Sequence, residues 1–224
     1  MENKLWADRL YLILASIFIA SLVSCNLIFQ KFFEMSIYIP FVGHYTFEQS
    51  VGLLPYPITF IVTDIISEIY GRRKANQVVT SGLFASLFML LIVTVSDMVS
   101  ATSWSPVSDA VFSKVFGLSA AAVFASMIAY LVAQYIDVRV FHFWKNLTRG
   151  KHLWLRNNAS TIASQLVDTT LVICILFIGV WSTNQIFSAI IDGWLFKMLM
   201  AFIDTPIIYG IIHLLKGKID IAVD

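Results

Sequence analysis

Six long runs of apolar residues dominate this chain, and no other feature restricts its fold as strongly. An α-helix needs about 20 mostly apolar residues to cross the hydrocarbon core of a bilayer. Charged or turn-forming segments separate the runs, which cover residues 10–30, 51–70, 77–98, 118–141, 157–181 and 187–215. The sequence therefore predicts an all-α integral membrane protein, with one six-helix transmembrane domain over residues 1–224.

The composition excludes the main classes of water-soluble protein. Hydrophobic residues make up 58% of the chain and charged residues 13%, whereas soluble domains carry about 25% charged residues. The net charge is +1, which argues against a disordered tail and against nucleic-acid binding. The 2 cysteines lie in separate apolar runs, so a disulfide scaffold is also excluded.

The lysine and arginine residues predict the orientation of the chain, because cationic loops stay on the cytoplasmic side. With six spans, most of the 15 Lys and Arg residues fall on one side. Lys31 and Lys114 fall on the other side, and Lys197 lies inside the sixth run. We therefore expect both termini in the cytoplasm of a bacterial cell, with the chain in the inner membrane.

Two of the connections carry a pattern of their own. Alternating apolar residues over 37–47, with Gly43-His44 in the middle, favour a short β-hairpin outside the membrane, and an irregular loop is the alternative. Aromatic and polar residues are mixed over 102–117, which favours a helix at the outer membrane surface. Proline is expected to kink or break the helices at Pro55, Pro57 and Pro206.

Polar side chains inside the predicted spans are the candidates for function. A charge at mid-bilayer costs about 2.5–3.5 kcal/mol on insertion scales, so such residues face the protein interior and mark functional sites. On four spans they occur three or four residues apart, which places each pair on one helix face. We expect one buried pocket to collect the candidate substrate-binding residues, which are Asn26, Asp64, Glu68, Gln134, Asp137, Gln165, Asp168 and Lys197.

Each candidate also has a structural interpretation. Polar side chains in membrane helices often only join helices by hydrogen bonds. The strongest form of this alternative is an ion pair of Lys197 with Asp168 or with Asp64. Near the helix ends the alternatives are an ion pair with Arg72 for Glu68 and simple hydration for Asp137.

Motifs of enzymes are missing from the sequence. Neither Gly150-Lys151 nor Gly217-Lys218 has the upstream glycine and the following Ser or Thr of a phosphate-binding loop. The sequence has no HExxH pair, CxxC pair or serine-nucleophile elbow, and its 4 histidines lie at or beyond the ends of the spans. We therefore expect no catalytic residues, no metal site and no cofactor.

Three motifs in this chain resemble those of the queuosine precursor transporters, also called the vitamin uptake transporter or VUT family. The resemblance covers nearly the whole chain, and a lysine in the sixth run is part of it. The motifs are T-D-x3-E-x2-G at residues 63–71, Q-x2-D-V at residues 134–138 and S-x3-S-Q-x2-D at residues 160–168.

The resemblance implies a six-helix carrier of the inner membrane that works by alternating access. Its cargo would be a precursor for tRNA modification: 7-cyano-7-deazaguanine, 7-aminomethyl-7-deazaguanine or queuine. The family is similar in architecture to the substrate-binding subunits of energy-coupling-factor vitamin importers, but an ATPase partner is not expected. The expected partners are the small-molecule substrate and the lipid bilayer, without nucleic acid. Whether the chain forms a homo-oligomer stays open.

The candidate residues suit the edge of a guanine-like base. Two adjacent N–H groups of the base can donate to one carboxylate, and its carbonyl oxygen accepts from an ammonium or amide group. Its flat ring can stack on aromatic side chains such as Trp194. The sequence leaves open whether Asp64 or Asp168 supplies the carboxylate, and whether the donor is Lys197, Asn26 or Gln165.

Two other functions remain as alternatives. The chain could be the substrate-binding subunit of an ATP-driven vitamin importer, which would dock through small residues such as Ser16 and Ala20 in the first span. It could also be a structural membrane protein that transports nothing. Uptake by the purified protein alone, and loss of uptake on neutralising Asp64 and Asp168, distinguish these alternatives from a secondary carrier.

Overall fold

The protein is mostly helical, with one two-stranded sheet. The computed structural model describes residues 2–39, 43–149 and 153–215, and within these ranges it describes only the backbone of some residues, including Gln134, Asp137 and Asp204. In chain order the elements are α1 (Glu2–Ile28), β1 (Phe32–Ile39), β2 (Gly43–Ser50), a 3-10 turn (Val51–Leu53), α2 (Tyr56–Tyr70), α3 (Arg72–Asp97), α4 (Asp109–Phe116), α5 (Ser119–Leu147), α6 (Leu153–Phe177) and α7 (Thr183–Leu215).

Five helical segments of the described residues are long and apolar enough to cross a membrane, and they overlap the first five predicted runs. They are Leu5–Ile28, Val51–Tyr70, Arg73–Asp97, Asp109–Tyr130 and Ala159–Phe177. The sixth run lies in α7, which is not among these five. The count of six spans therefore stays a prediction, as do the cytoplasmic termini and the likeness to energy-coupling-factor subunits.

The expected helix break is present next to Pro55 and Pro57, whereas no break is present at Pro206. Pro55 caps α2 at its N-terminus and Pro57 lies in the first turn, where a missing N–H leaves no hydrogen bond unmade. The second apolar run is therefore not one continuous helix, because a 3-10 turn precedes α2. Helix α7 continues through Pro206.

The hairpin is confirmed and is longer than the alternation indicated, whereas its position outside the membrane stays a prediction. Strands β1 and β2 pair in one small sheet, and the hydroxyl groups of Ser36 and Thr46 hydrogen bond at 2.9 Å. On β2 the side chains alternate, and Tyr45, Phe47 and Gln49 lie on the more buried face. The hairpin therefore presents this inner face to other residues of its own compact unit, among them Asp192.

Part of the predicted surface helix over residues 102–117 is present as α4. The hydroxyl of Ser108 caps α4 by accepting from the N–H of Val111 at 3.4 Å. A serine at this position is a typical start signal of a helix. Residues 102–107 of the predicted helix are not helical. That α4 lies at the membrane surface stays a prediction.

The described residues group into two compact units. The first contains those within Met1–Phe33, Ser50–Ser119 and Leu199–Asp224, and the second contains those within Glu34–Gln49 and Ala120–Met198. The first unit is built on α1, α2 and α3, which pack on one another. Its core cluster consists of Phe18, Val62, Ile66, Ala75 and Val78.

A single glycine joins α2 to α3. Gly71 has φ +81°, a conformation that L-amino acids with a side chain rarely adopt. Its N–H donates to the carbonyl oxygen of Ser67 at 3.0 Å, which closes the last turn of α2. The positive φ at this turn therefore explains why the T-D-x3-E-x2-G motif has glycine at residue 71.

The turn after the hairpin packs tightly on α1, and this contact gives a test of the fold. A Cβ atom at Gly52 would lie 2.7 Å from the Cys25 carbonyl oxygen and 2.9 Å from the Phe29 Cα, and these backbone atoms cannot move aside. We expect Gly52→Ala to lower the free energy of unfolding by about 1–3 kcal/mol, as overpacking does. Thermal unfolding in detergent measures this loss.

The matched control is Gly210→Ala in α7. Nothing lies within 4 Å of a Cβ atom at Gly210, and alanine favours a helix over glycine by about 1 kcal/mol. This variant should keep the wild-type melting temperature or exceed it. Equal losses in the two variants would contradict the packing described for Gly52.

Candidate functional site

An ion pair joins α6 to α7 in the second unit. The Nζ atom of Lys197 donates to Oδ2 of Asp168 at 2.6 Å, and the side chains are only 8% and 14% exposed, respectively. Asp168 lies about 22 Å along α6 from its first residue, and Lys197 about 21 Å along α7 from its first residue, at 1.5 Å per residue. Two opposite charges are thus held together far from the helix ends.

One face of α7 makes this contact with α6. Gly193 and Trp194 are one turn or less before Lys197, so the three residues share this face. A Cβ atom at Gly193 would lie 3.0 Å from Cγ2 of Thr169, the neighbour of Asp168. The indole nitrogen of Trp194 donates to the carbonyl oxygen of Ile162 at 3.0 Å. The glycine thus lets the two helices approach closely beside the ion pair.

Polar atoms with no hydrogen-bond partner among the described residues lie on α6 next to this pair. They are Oε1 of Gln165 and Oγ1 of Thr169, and both are buried. Gln165 precedes Asp168 by three residues, so both side chains lie on one face of α6. Because buried polar atoms are nearly always hydrogen-bonded, such atoms mark places where a ligand or water can bind.

A second buried carboxylate joins the hairpin to α7. Asp192 is only 2% exposed. Its Oδ1 accepts from the Tyr45 hydroxyl at 2.5 Å, and its Oδ2 accepts from the Glu48 N–H at 2.9 Å. The hydrogen bond to Asp192 raises the pKa of Tyr45 to about 12, so the phenol stays protonated and continues to donate.

Sequence reasoning missed Asp192 as a candidate. It is a charged residue inside the sixth apolar run, and the rule that selected Asp168 and Lys197 would have selected it as well. Its partners could not be read from the sequence, because Tyr45 lies 147 residues earlier.

Three predicted residues lie in the first unit. Asn26 is 8% exposed, and its amide nitrogen donates to the carbonyl oxygen of Leu22 in the same helix at 3.1 Å. Asp64 and Glu68 are exposed on α2, on the face opposite the buried residues Val62 and Ile66. These carboxylates therefore point away from the core that α2 forms with α1 and α3.

The remaining predictions fall outside the described side chains. Gln134 and Asp137 lie in α5, and for these two residues the structure describes only the backbone. The same holds for Arg72, the predicted partner of Glu68. Of the eight predicted residues, the structure brings Asp168 into contact with Lys197 and places Gln165 one turn away on the same helix.

No metal-binding cluster accompanies the polar residues in the described part of the chain, and the cavity at the end of α3 lies apart from them. Within residues 2–39, 43–149 and 153–215, no group of three or more His, Cys, Asp or Glu side chains could hold a metal ion. A cavity of about 190 Å³ lies at the end of α3, and none of the eight predicted residues lines it. It is smaller than the roughly 300–1,000 Å³ of ordinary ligand pockets.

The α6–α7 arrangement suits reversible binding of a small polar molecule. A carboxylate can accept about four hydrogen bonds, so Asp168 has capacity beyond its contact with Lys197. Nothing in this arrangement resembles a nucleophile held by a base, and the acceptor and donor groups are those of a binding site.

A comparison with known families agrees with a transport function. The model of a family described as "Putative vitamin uptake transporter" matches residues 50–211, which is more than half of the chain. The chain belongs to this family. The match includes α2 with Asp64 and Glu68, and α6 and α7 up to residue 211. The family resemblance that we drew from the three motifs is thereby confirmed.

Curated relatives carry names of the same kind. The "Probable queuosine precursor transporter" of Bacillus subtilis (strain 168) is 28% identical over 162 residues, which cover 72% of this chain and 70% of the relative. The "Queuosine precursor transporter" of Escherichia coli (strain K12) is 25% identical over 174 residues, which cover 74% and 73%, respectively. No solved structure matches the chain significantly.

The family, the named relatives and the apolar helices lead to one coarse conclusion. The chain is a multi-pass bacterial membrane protein of a transporter family, and it is not an enzyme.

The ion pair makes a prediction about stability. Lys197→Met leaves the Asp168 carboxylate buried without its cation, and breaking a buried pair in this way costs about 3–5 kcal/mol. The double variant Asp168→Asn with Lys197→Met removes both charges, so it should lose much less. Membrane expression level and thermal unfolding in detergent measure both effects. If the single and double variants lose equal stability, the two charges do not compensate each other.

Proposed function

We propose that this protein imports a 7-deazaguanine precursor of queuosine across the inner membrane, and that Asp168, Lys197 and Gln165 bind it. The single observation that carries the proposal is the buried Asp168–Lys197 pair, at 2.6 Å, in a chain of a transporter family. The names of the relatives supply the substrate class.

The ion pair matches the hydrogen-bonding edge of the base. The deazaguanine ring has two adjacent N–H donors, and a carboxylate can accept both hydrogen bonds in a bidentate geometry. Asp168 takes this role. Lys197 donates to an acceptor atom of the ring, and Oε1 of Gln165, which is buried and unpaired among the described residues, accepts a further N–H. The indole of Trp194, on the same face of α7 as Lys197, gives the flat ring a surface for stacking.

The ion pair also stabilises the carrier when no substrate is bound. Without substrate, an isolated Asp168 or Lys197 would be costly in a low-dielectric interior, and pairing makes the empty site neutral. Binding of a neutral base such as 7-cyano-7-deazaguanine then exchanges part of one hydrogen-bond set for another without moving net charge. This property suits a carrier, which must change conformation both loaded and empty.

Transport follows from exposing this site to one side of the membrane at a time. In carriers, helices rock or broken segments open around a central site. The 3-10 turn before α2 interrupts the second apolar run, and we assign the movement to this turn and to Pro206 of α7. Asn26, Asp64, Glu68, Gln134 and Asp137 stay predicted contributors to the site.

Uptake in cells tests the substrate and the site together. In a bacterial strain that cannot make queuosine precursors, the wild-type protein should accumulate labelled 7-cyano-7-deazaguanine, and excess queuine, but not biotin, should compete. The double variant Asp168→Asn with Lys197→Met should be expressed normally and lose uptake by about a hundredfold or more. Each lost charge-assisted hydrogen bond is worth about 1.5–3 kcal/mol.

The control for this assay is the double variant Asp8→Asn with Lys114→Met. It makes the same chemical changes at exposed positions of α1 and α4, and it should keep wild-type uptake. Wild-type uptake by the Asp168/Lys197 double variant would show that the pair serves only to join α6 to α7. Failure of the wild-type protein to take up any deazaguanine would remove the substrate from the proposal.

Reconstitution distinguishes a secondary carrier from a subunit of an ATP-driven importer. The purified chain alone, in liposomes without ATP, should equilibrate labelled 7-cyano-7-deazaguanine across the bilayer at a rate that saturates with concentration. The double variant Asp168→Asn with Lys197→Met provides the background rate. Uptake that appears only after an ATPase complex and ATP are added would favour the alternative.

A further inference from the structure

Gln49 stands out among the polar residues that the proposed site does not use. It is the last inward-facing residue of β2, and it is only 3% exposed. Its Nε2 atom is buried and has no hydrogen-bond partner in the part of the chain that the structure describes. A buried amide donor without a partner destabilises a folded protein, so a donor of this kind indicates that a partner binds there.

The strand that carries Gln49 is held in place by Asp192. The Tyr45 hydroxyl and the Glu48 N–H both donate to this carboxylate, at 2.5 Å and 2.9 Å. Tyr45 lies on the same face of β2 as Gln49, and Glu48 immediately precedes it. These two hydrogen bonds therefore fix both the distance and the rotation of the inner face of β2 relative to α7.

The residues of α7 that follow Asp192 include Lys197 of the ion pair. Gly193, next to Asp192, approaches Thr169 of α6, and Lys197 contacts Asp168 at 2.6 Å. Asp192 and Lys197 are separated by about 7.5 Å along the helix axis. All of these residues belong to the second unit. The inner face of β2 is thus joined to the helix that carries the proposed site.

We propose that the inner face of β2 forms one side of the substrate site, where Gln49 Nε2 donates to the ring carbonyl oxygen and Asp192 positions the strand. The inference rests on the proposed function and deepens it. The unpaired donor of Gln49 supplies what a ring carbonyl requires, and Asp168 with Gln165 supplies the acceptors for the N–H groups. Gln49 is then the residue that selects a 6-oxo ring.

Binding of two ligands to the wild-type protein and to the Gln49→Leu variant tests the contact directly. The ligands are 7-deazaguanine and 6-thio-7-deazaguanine, which keeps the N–H donors but replaces the carbonyl oxygen by sulfur, a weak acceptor. Binding to the full-length protein in detergent is measured by calorimetry or by displacement of a labelled base. We expect the wild-type protein to bind the oxo compound about tenfold more tightly, which corresponds to one hydrogen bond of about 1.4 kcal/mol.

Removal of the amide should abolish this preference. Gln49→Leu should bind 7-deazaguanine about tenfold more weakly than wild type, and it should bind the two ligands equally within about twofold, the usual limit of additivity. The empty variant should melt no lower than wild type, because the substitution removes a buried donor that has no partner among the described residues. A lower melting temperature with the ligand preference intact would show that Gln49 has a structural role and would overturn the inference.

Tyr45→Phe tests the positioning role of Asp192. It removes one of the two hydrogen bonds to that carboxylate and leaves Gln49 in the sequence. The preference for the oxo ligand should decrease by severalfold, since the strand is less well fixed. Ser36→Ala is the matched control, because it removes a hydroxyl hydrogen bond with Thr46 on the exposed face of the hairpin. It should leave both affinities unchanged, and an equal effect of the two substitutions would refute positioning through Asp192.

The outcomes separate this inference from the proposed function. If the wild-type protein binds neither deazaguanine, the proposed function fails and the inference fails with it. If the wild-type protein binds deazaguanine and Gln49→Leu keeps the wild-type affinity and preference, the inference alone is overturned. Loss of the preference in Gln49→Leu, with wild-type stability, supports both.

Discussion

Charge neutralisation inside an apolar bundle is the constraint on which this structure depends. A single charge among membrane helices costs several kcal/mol, so acidic and basic groups persist there only with partners. Lys197 and Asp168 meet this condition by pairing, and Asp192 meets it by accepting from a phenol and a backbone N–H. These contacts join the first half of α7 both to α6 and to the hairpin.

The same constraint connects stability with function. An ion pair that is satisfied when the carrier is empty can share its hydrogen bonds with a bound base, whose edge offers both donors and acceptors. Other polar atoms in the same unit, Gln165 Oε1 and Gln49 Nε2, have no partner among the described residues. The polar groups needed for a flat heterocycle are therefore distributed over α6, α7 and β2.

Local patterns in the sequence predicted local structure, and they could not predict partners far apart in the chain. Apolar length predicted the helices of the first five runs, and alternation predicted the hairpin. The Asp168–Lys197 contact was one of two pairings that the sequence left open, because spacing along one helix does not choose between neighbouring helices. Burial of Gln49 and the contact of Tyr45 with Asp192 depend on how β2 meets α7, and nothing near those residues in sequence encodes it.

The one-residue connection at Gly71 has a consequence for how the protein is made. Helices α2 and α3 are joined by one residue, so the position of one helix in the bilayer restricts the position of the other. During biosynthesis such a short connection favours entry of the two helices into the bilayer together, as one helical hairpin. Reporter tags or protease sites placed at this corner would lengthen the connection and allow the two helices to insert one after the other.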